Sequence, residues 1–256
     1  MVAARIKRFF AGERSPPQVP KGRRIYAIGD VHGRLDLFEE LLRRIEQDRL
    51  NWNGQTEVVL LGDYIDRGPQ SAQLLDLISG SLPDWAHWTI LRGNHEQAML
   101  DATQGDANAR RVLRIWLDNG GCETLRSYGM PALLAYGDDL DAIEAELRVR
   151  IPLRHLNFLR RLKLTRRVGD YLFVHAGIRP GVPLEAQADR DLLWIRDEFL
   201  NCRDDHGYVV VHGHSITSDV DERDNRIGID TGAYATGRLT ALVLEGGTRR
   251  YLSTLP

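Results

Sequence analysis

Five short apolar runs in this chain end in the same way, in glycine and a few polar residues rich in aspartate and histidine. Ile25-Tyr26-Ala27-Ile28 leads into Gly29-Asp30-Val31-His32-Gly33, and Val58-Val59-Leu60-Leu61 into Gly62-Asp63-Tyr64-Ile65-Asp66-Arg67-Gly68. Trp88-Thr89-Ile90-Leu91 leads into Arg92-Gly93-Asn94-His95-Glu96, Tyr171 through Val174 into His175-Ala176-Gly177, and Tyr208 through Val211 into His212-Gly213-His214. Continuous runs of this kind suit strands buried on both faces. Between the first three, Leu35, Phe38, Leu41, Leu42 and Ile45 recur at helical spacing, as do Leu74, Leu75 and Ile78. The pattern is β-α-β-α-β, which predicts parallel strands joined by right-handed crossovers. Residues just past the C-terminal ends of such strands line one crevice. Five polar clusters, far apart in sequence, are therefore expected to converge.

The rest of the chain frames that expectation. Its 256 residues carry 34 Lys+Arg and 36 Asp+Glu, a formal charge of −2, which argues against a histone-like nucleic-acid binder or a polyacidic tail protein. At 43% apolar and 27% charged it has material for a sizeable core. No apolar run approaches the ~18–20 residues that cross a bilayer. Two cysteines, Cys122 and Cys202, make no disulfide framework, and no signal peptide is visible, so a cytoplasmic location is expected. Lysine occurs only at positions 7, 21 and 163, so arginine by itself signals codon usage rather than function. Residues 1–24 hold seven basic groups against Glu13, a charge of +6, and leave the remainder at −8.

Residues 1–22 read as a basic tail, broken by Ser15-Pro16-Pro17 and Pro20, and residues 23–256 as the folded domain. The tail is expected to be a strap or a free arm, with contact to a membrane surface as the alternative. Residues 97–165 read as a helical insertion beside the crevice, broken at Gly120-Gly121 and Met130-Pro131. After His214 the β-rich stretches Arg226–Asp230, Arg238–Leu244 and Thr248–Leu252 are expected to be antiparallel strands closing a second sheet.

The clusters offer the carboxylates of Asp30, Asp63 and Asp66, the imidazoles of His32, His95, His175, His212 and His214, and the amide of Asn94. A mixed Asp/His/Asn set without thiolate suits ions such as Mn, Fe or Zn better than a structural zinc cage. On a strand the His212-x-His214 spacing puts both imidazoles on one face, and in a loop either can be the ligand. Taken alone, Gly-Asp-x-His-Gly is compatible with a plain turn. Gly-Asp-x-x-Asp-Arg-Gly is not: five fixed positions at roughly one in twenty recur by accident about once in a few million windows.

The ordered set Gly29–Gly33, Gly62–Gly68, Arg92–Glu96, His175–Gly177 and His212–His214 resembles the phosphoprotein phosphatases of the calcineurin-like metallophosphoesterases. It is most similar to the compact bacterial and phage serine/threonine phosphatases, over a frame from about Arg24 to Gly232. The resemblance implies an α/β fold of two mixed β-sheets sandwiched by helices, αββα, with a helical insertion. It implies two divalent metal ions, Mn²⁺ first, with Fe or Zn as alternatives. Asp30, His32 and Asp63 would hold one ion and Asp63, Asn94, His175 and His214 the other, so that Asp63 bridges. His214 fills the metal position of the last motif, which leaves His212 behind it. His95 would be the general acid with Asp66 as its orienting partner. Arg67, Arg92 and Arg196 would grip the phosphate. Asp230, in Ile229-Asp230-Thr231-Gly232, matches a late loop and is expected beside the ligands, or in a simple β-turn.

The expected chemistry is coherent. Two M²⁺ ions bring +4 and Asp30 and Asp63 return −2, so the site stays positive for a phosphate dianion. Ions ~3.5–4 Å apart lower the pKa of a bridging water, and the hydroxide attacks phosphorus in line without a covalent enzyme intermediate. A serine alkoxide leaves poorly, which gives a protonated His95 its task. The substrate class expected is a phosphoserine or phosphothreonine protein or peptide, with phosphotyrosine also open, and not nucleic acid. A symmetrical dinucleoside tetraphosphate hydrolase, sharing the metal ligands, is the first alternative. An inactive phosphopeptide-binding module is the second, disfavoured because every ligand and the acid are present. Trp85, Trp88 and Trp116 read as packing, His87, His155 and His206 as surface or satisfied histidines, and both cysteines as inert.

Overall fold

The computed structural model describes residues 16–105 and 107–255. Strand β1 (Arg23–Ile28), helix α1 (Leu35–Arg49), β2 (Gln55–Leu60), α2 (Ser71–Gly80) and β3 (His87–Ile90) form the expected parallel unit. β1 pairs with β2 from Arg23↔Gln55 to Ile28↔Leu60, and β2 with β3 from Glu57↔His87 to Leu60↔Ile90. The apolar spacing in α1 buries Phe38, Leu41, Leu42 and Ile45. In α2 it buries Leu74, Leu75 and Ile78.

A run of helices follows: α3 (Asn94–Ala102), α4 (Ala107–Trp116), a kinked turn (Leu117–Gly121), α5 (Cys122–Ser127), α6 (Ala132–Ala135), α7 (Leu140–Arg150) and α8 (Leu153–Arg160). Gly120-Gly121 breaks the helix as expected: Asn119 (φ −101°, ψ +16°) and Gly120 (φ +106°) leave helical geometry, and α4 and α5 meet at a kink. The second sheet contains β4 (Thr165–Val168) and β5 (Tyr171–Val174), then, after α9 (Asp189–Trp194) and α10 (Asp197–Leu200), β6 (Val209–His212), β7 (Asp221–Glu222) and β8 (Arg226–Gly228). After α11 (Ala233–Thr236), β9 (Thr240–Glu245) and β10 (Thr248–Ser253) return to the first sheet.

The strand orders are β10-β9-β1-β2-β3 and β4-β5-β6-β8-β7. This corrects the expectation for the C-terminal stretches. Only Arg226–Gly228 enters the second sheet, and it runs parallel to β6. β9 and β10 instead extend the first sheet, antiparallel to β1 and to each other. The reason is burial: β9 carries Leu242 and Leu244 on one face and Ala241 and Val243 on the other, all buried, which suits an internal strand with covered faces.

Side-chain alternation divides the core. Tyr26, Ile28, Val58 and Leu60 face the helices. Ile25, Ala27, Val59 and Leu61 face Phe173, Val211 and Ile227 of the second sheet. Leu172, Val174 and Val210 pack outward on Ile195 and Phe199. The layers are helix, sheet, sheet, helix. β1, β2 and β3 in one sheet and β5, β6 and β8 in the other each run parallel, so their C-terminal loops meet at one end.

Of the basic segment expected over 1–22, residues 1–15, and with them any membrane contact, lie outside the described residues. Residues 16–22 are docked on the domain. Val19 is buried and its N–H donates to Gly246 O (2.9 Å), while Gln18 N–H donates to Asp170 Oδ2 and Tyr171 Oη–H to Pro17 O. No helix among the described residues is long and apolar enough to cross a membrane.

Candidate active site

The loops that follow β1, β2, β3 and β6 border a cavity of about 320 Å³ lined by Asp30, His32, Asp63, Asn94, His95 and His214, with Arg67 and Arg196 among its other walls. Getting there strains the backbone. Among the described residues, the non-glycine positions with left-handed φ are His32, Asp63, Asp66, Arg67 and His214. All five belong to the sequence-predicted site, and such conformations persist only where surrounding structure enforces them. Two motif glycines are dictated by space. A Cβ at Gly93 would lie 2.1 Å from Asp63 Oδ1, and one at Gly213 2.0 Å from Asp30 Oδ1.

Glu96, in the third motif, explains how the second motif holds its shape. The buried carboxylate accepts the N–H groups of Asp63 (2.9 Å), Tyr64 (2.7 Å) and Gly93 (2.9 Å), joining two loops through one side chain. Its place in the third motif carries no sign of this task. Glu96→Ala orphans these donors and is expected to lower unfolding free energy by roughly 3–5 kcal/mol in urea titration. A loss below about 1 kcal/mol would show that the carboxylate does not hold the loops.

Asp63 lies at the centre. It belongs to two groups whose ligand atoms lie within 4.8 Å of one another: His32, Asp63 and His95, and Asp63, His175 and His214. Its Oδ2 is 3.6 Å from His32 Nε2 and its Oδ1 3.4 Å from His175 Nε2. His175 Nε2 is also 2.8 Å from Asn94 Oδ1. His32 Nδ1 meets Ile65 O (2.8 Å) and His175 Nδ1 meets Leu61 O (3.1 Å). Those carbonyls accept only from Nδ1–H, which fixes the tautomer and turns each Nε2 lone pair toward Asp63.

The residues fit a pair of divalent cations on three counts. Asp30 Oδ1 and His214 Nε2 are buried polar atoms without a partner. Burial, then the Asp230 and Asp63 carboxylates, hold Asp30 well above the usual carboxylate range, a concentration of negative charge that a cation would relieve. Burial pushes His32 down to about 3 and His214 to about 2, so both are neutral imidazoles, the form that coordinates. Burial would raise Asp63, but the imidazoles of His175, His95, His32 and His214 outweigh it and hold it below its ordinary value.

His95 stands apart from the other histidines. Its Nδ1 lies 2.6 Å from Asp66 Oδ2. Burial opposes the charged ring, yet Asp63 and Asp66 overcome it and raise His95 to about 9. A ring kept protonated has no lone pair to coordinate, so Asp30, with its orphaned oxygen, is the better third donor beside His32 and Asp63. Asp230 completes the acidic side. It is buried, accepts Gly232 N–H (3.0 Å), and burial with the Asp63 charge pushes it up to about 6.

The expected arginines divide. Arg67 arches over the cavity, its Nη1 3.0 Å from His32 Nε2 and its Nη2 3.3 Å from His95 Nε2, over the Tyr234 ring at 4.6 Å. Arg196 is exposed at the wall beside Trp194. Arg92 does not line the cavity, and its buried Nε has no partner. His212, expected behind His214 rather than as a ligand, packs its ring edge-on to Phe199, has its Nδ1 3.0 Å from Gly213 O, and belongs to neither metal-ligating group. As the last residue of β6 it shares the outward register of Val210, toward α10, whereas His214 lies beyond the strand with φ +63°.

Trp116 is buried, as expected of a packing residue, but its Nε1–H also donates to Asp66 Oδ2 (2.9 Å) and it lines the cavity. Thr124 Oγ1–H donates to Asp66 Oδ1 (2.6 Å). Neither lies in a motif, and no sequence signal marked them.

Parallel strands of two facing sheets that deliver aspartate, histidine and asparagine to a shared carboxylate define a metal-dependent phosphoester hydrolase scaffold. The chain belongs to the calcineurin-like phosphoesterase family, whose model matches residues 23–240. Serine/threonine-protein phosphatase 2 of Escherichia coli (strain K12) is 26% identical over 228 residues, 85% of this chain and 91% of that protein. The symmetrical bis(5'-nucleosyl)-tetraphosphatase of Dechloromonas aromatica (strain RCB) is 33% identical over 156 residues, which is 60% of this chain and 44% of that protein. A crystal structure provisionally described as a diadenosine tetraphosphatase shares the fold, with a TM-score of 0.61 at 20% identity over 93% of this chain and 98% of the other.

Proposed function

We propose that the chain removes phosphate from phosphoserine and phosphothreonine in proteins or peptides, using two Mn²⁺ ions. The observation that carries this reading is the His95–Asp66 pair, 2.6 Å apart and buried at the cavity wall. An alkoxide is a poor leaving group and needs a proton as the P–O bond breaks, whereas a nucleoside diphosphate leaves readily without one. A site that invests a buried carboxylate in keeping one imidazole protonated is built for the harder case. When bound, the ions supply Lewis acidity toward phosphoryl oxygens and a water that is nucleophilic at neutral pH.

The chain's own residues do the rest. Asp30, His32 and Asp63 would hold one ion and Asp63, Asn94, His175 and His214 the other. Arg67 and Arg196, planar donors that both line the cavity, would bind the non-bridging phosphoryl oxygens and spread the charge that develops there. His95 would deliver its proton from Nε2 to the leaving oxygen while Asp66 holds Nδ1–H and the ring angle. Trp194, 39% exposed, and Ile115, 50% exposed, form an apolar lip on the same cavity, where the residues flanking the phosphorylated side chain would rest.

Cleavage of dinucleoside tetraphosphates is the second reading, favoured by the 33% identity to a symmetrical tetraphosphatase. Turnover of phosphoserine, phosphothreonine and phosphotyrosine peptides and of a dinucleoside tetraphosphate, measured side by side with Mn²⁺ added after chelation, separates the two. The expected result is a kcat/KM at least about tenfold higher for the phosphoserine or phosphothreonine peptide, a transition-state preference of about 1.4 kcal/mol. A preference of that size for the tetraphosphate would overturn the reading.

A further inference from the structure

We propose that Trp116 and Thr124 are positioning residues for the His95–Asp66 pair, so that the helical segment α4–α5 governs proton delivery to the leaving group. The inference rests on the reading of His95 as general acid. Asp66 is fully buried, and each of its oxygens is engaged. Oδ2 accepts from His95 Nδ1–H (2.6 Å) and from Trp116 Nε1–H (2.9 Å), and Oδ1 accepts from Thr124 Oγ1–H (2.6 Å). Thr124 Oγ1 also accepts the N–H of Asp66 itself (2.9 Å), and Ser71 Oγ accepts the same N–H at 3.0 Å. The carboxylate is thus fixed in plane and in rotation by groups on three elements, α3, α4 and α5, while Ser71 of α2 holds its backbone. With one partner alone it would be free to turn about its terminal torsion, whose energy wells are broad.

The segment is anchored for this purpose at a third point. At the kink, Gly120 O accepts Arg67 N–H (3.2 Å), and a Cβ at Gly120 would lie 2.8 Å from Arg67 N. The kink separates α4 from α5, with Trp116 at the end of one helix and Thr124 in the first turn of the other. Both donors lie outside the motifs, 50 and 58 positions after Asp66. The chemistry explains the investment. A general acid works only when its proton is aligned with the leaving oxygen, and a misplacement of about 1 Å costs on the order of a hundredfold. His95 takes its ring angle from Asp66, and Asp66 takes its own from Trp116 and Thr124.

The test compares Trp116→Phe, Thr124→Val, Thr124→Ser and His95→Asn with the parent protein at matched metal content. kcat and KM are measured on a phosphoserine peptide and on p-nitrophenyl phosphate, whose leaving group needs no proton. Trp116→Phe and Thr124→Val are expected to raise the ratio of aryl-phosphate to phosphoserine kcat by roughly tenfold or more, as supporting hydrogen bonds around a catalytic group commonly do. Most of that change should fall in kcat rather than KM, and Thr124→Ser, which keeps the hydroxyl, should return the ratio close to the parent value. In the metal-free protein, the downfield proton resonance of His95 Nδ1–H should shift or broaden in Trp116→Phe and Thr124→Val and be kept in Thr124→Ser. If His95→Asn changes the ratio while folded Trp116→Phe and Thr124→Val do not, the positioning role is overturned and the general acid stands. If His95→Asn itself leaves the ratio alone, both readings fall. Should Trp116→Phe not fold, the Thr124 pair decides.

Discussion

Asp63→Asn is expected to reduce phosphopeptide turnover by a thousandfold or more and to leave the protein unable to retain two divalent ions. Asp63 is the one carboxylate shared by the two ligand groups, 2% exposed and within 3.4–3.6 Å of imidazoles on both sides. An asparagine retains an oxygen that can accept His95 N–H, as Asp63 Oδ1 does at 3.1 Å, so the loop keeps its main-chain support. What it loses is the negative charge between two cations and the second donor oxygen. Lewis-acid stabilisation by bound ions is worth several kcal/mol at the transition state, and about 1.4 kcal/mol is a factor of ten, which sets the expected loss. Metal content after dialysis, read by elemental analysis, should fall below two ions per chain. Full turnover by the variant would sink the shared-carboxylate arrangement, and full metal content with lost turnover would move Asp63 from ligand to some other role.

His95→Asn should give a different signature. General acid catalysis contributes on the order of 10²–10⁴, and only where the leaving group needs the proton. Phosphoserine turnover should therefore fall by about that factor, while an aryl phosphate loses far less. The His95 ring joins Asp66 through Nδ1, and His95 follows Asn94 at the start of α3, so the substitution leaves the Asn94 amide in place. Equal loss on both substrates would show that His95 binds or shapes the site rather than donating a proton.

Much of this arrangement was legible in the chain. Strands β1, β2 and β3 and helices α1 and α2 followed from apolar spacing, because local burial on a helix face or in a doubly covered strand leaves a direct mark on sequence. The convergence of the five motifs followed from the parallel connection, which places loop after loop at the same strand ends. The C-terminal strands were misplaced because alternation and glycine punctuation signal a strand but not its partner. Leu242 and Leu244 look the same whether they cover the second sheet from within it or from across the sandwich. His212 and His214 could not be separated by composition, since their difference is one of strand register and a left-handed backbone at His214.

The sequence by itself determined the donor set, the order of the loops and the scaffold that gathers them. Those properties are carried by short contiguous stretches and by periodicities that need no distant partner to be read. Only the tertiary structure decided which groups touch. It gave Glu96 the N–H groups of two loops, left Arg92 outside the cavity, and brought Trp116 and Thr124 onto Asp66 from 50 and 58 positions away. A buried tryptophan looks alike in sequence whether its indole N–H meets a backbone carbonyl or a carboxylate at the active site. The distinction depends on the angle of one helix at the Asn119-Gly120 kink, and that angle is set by tertiary packing.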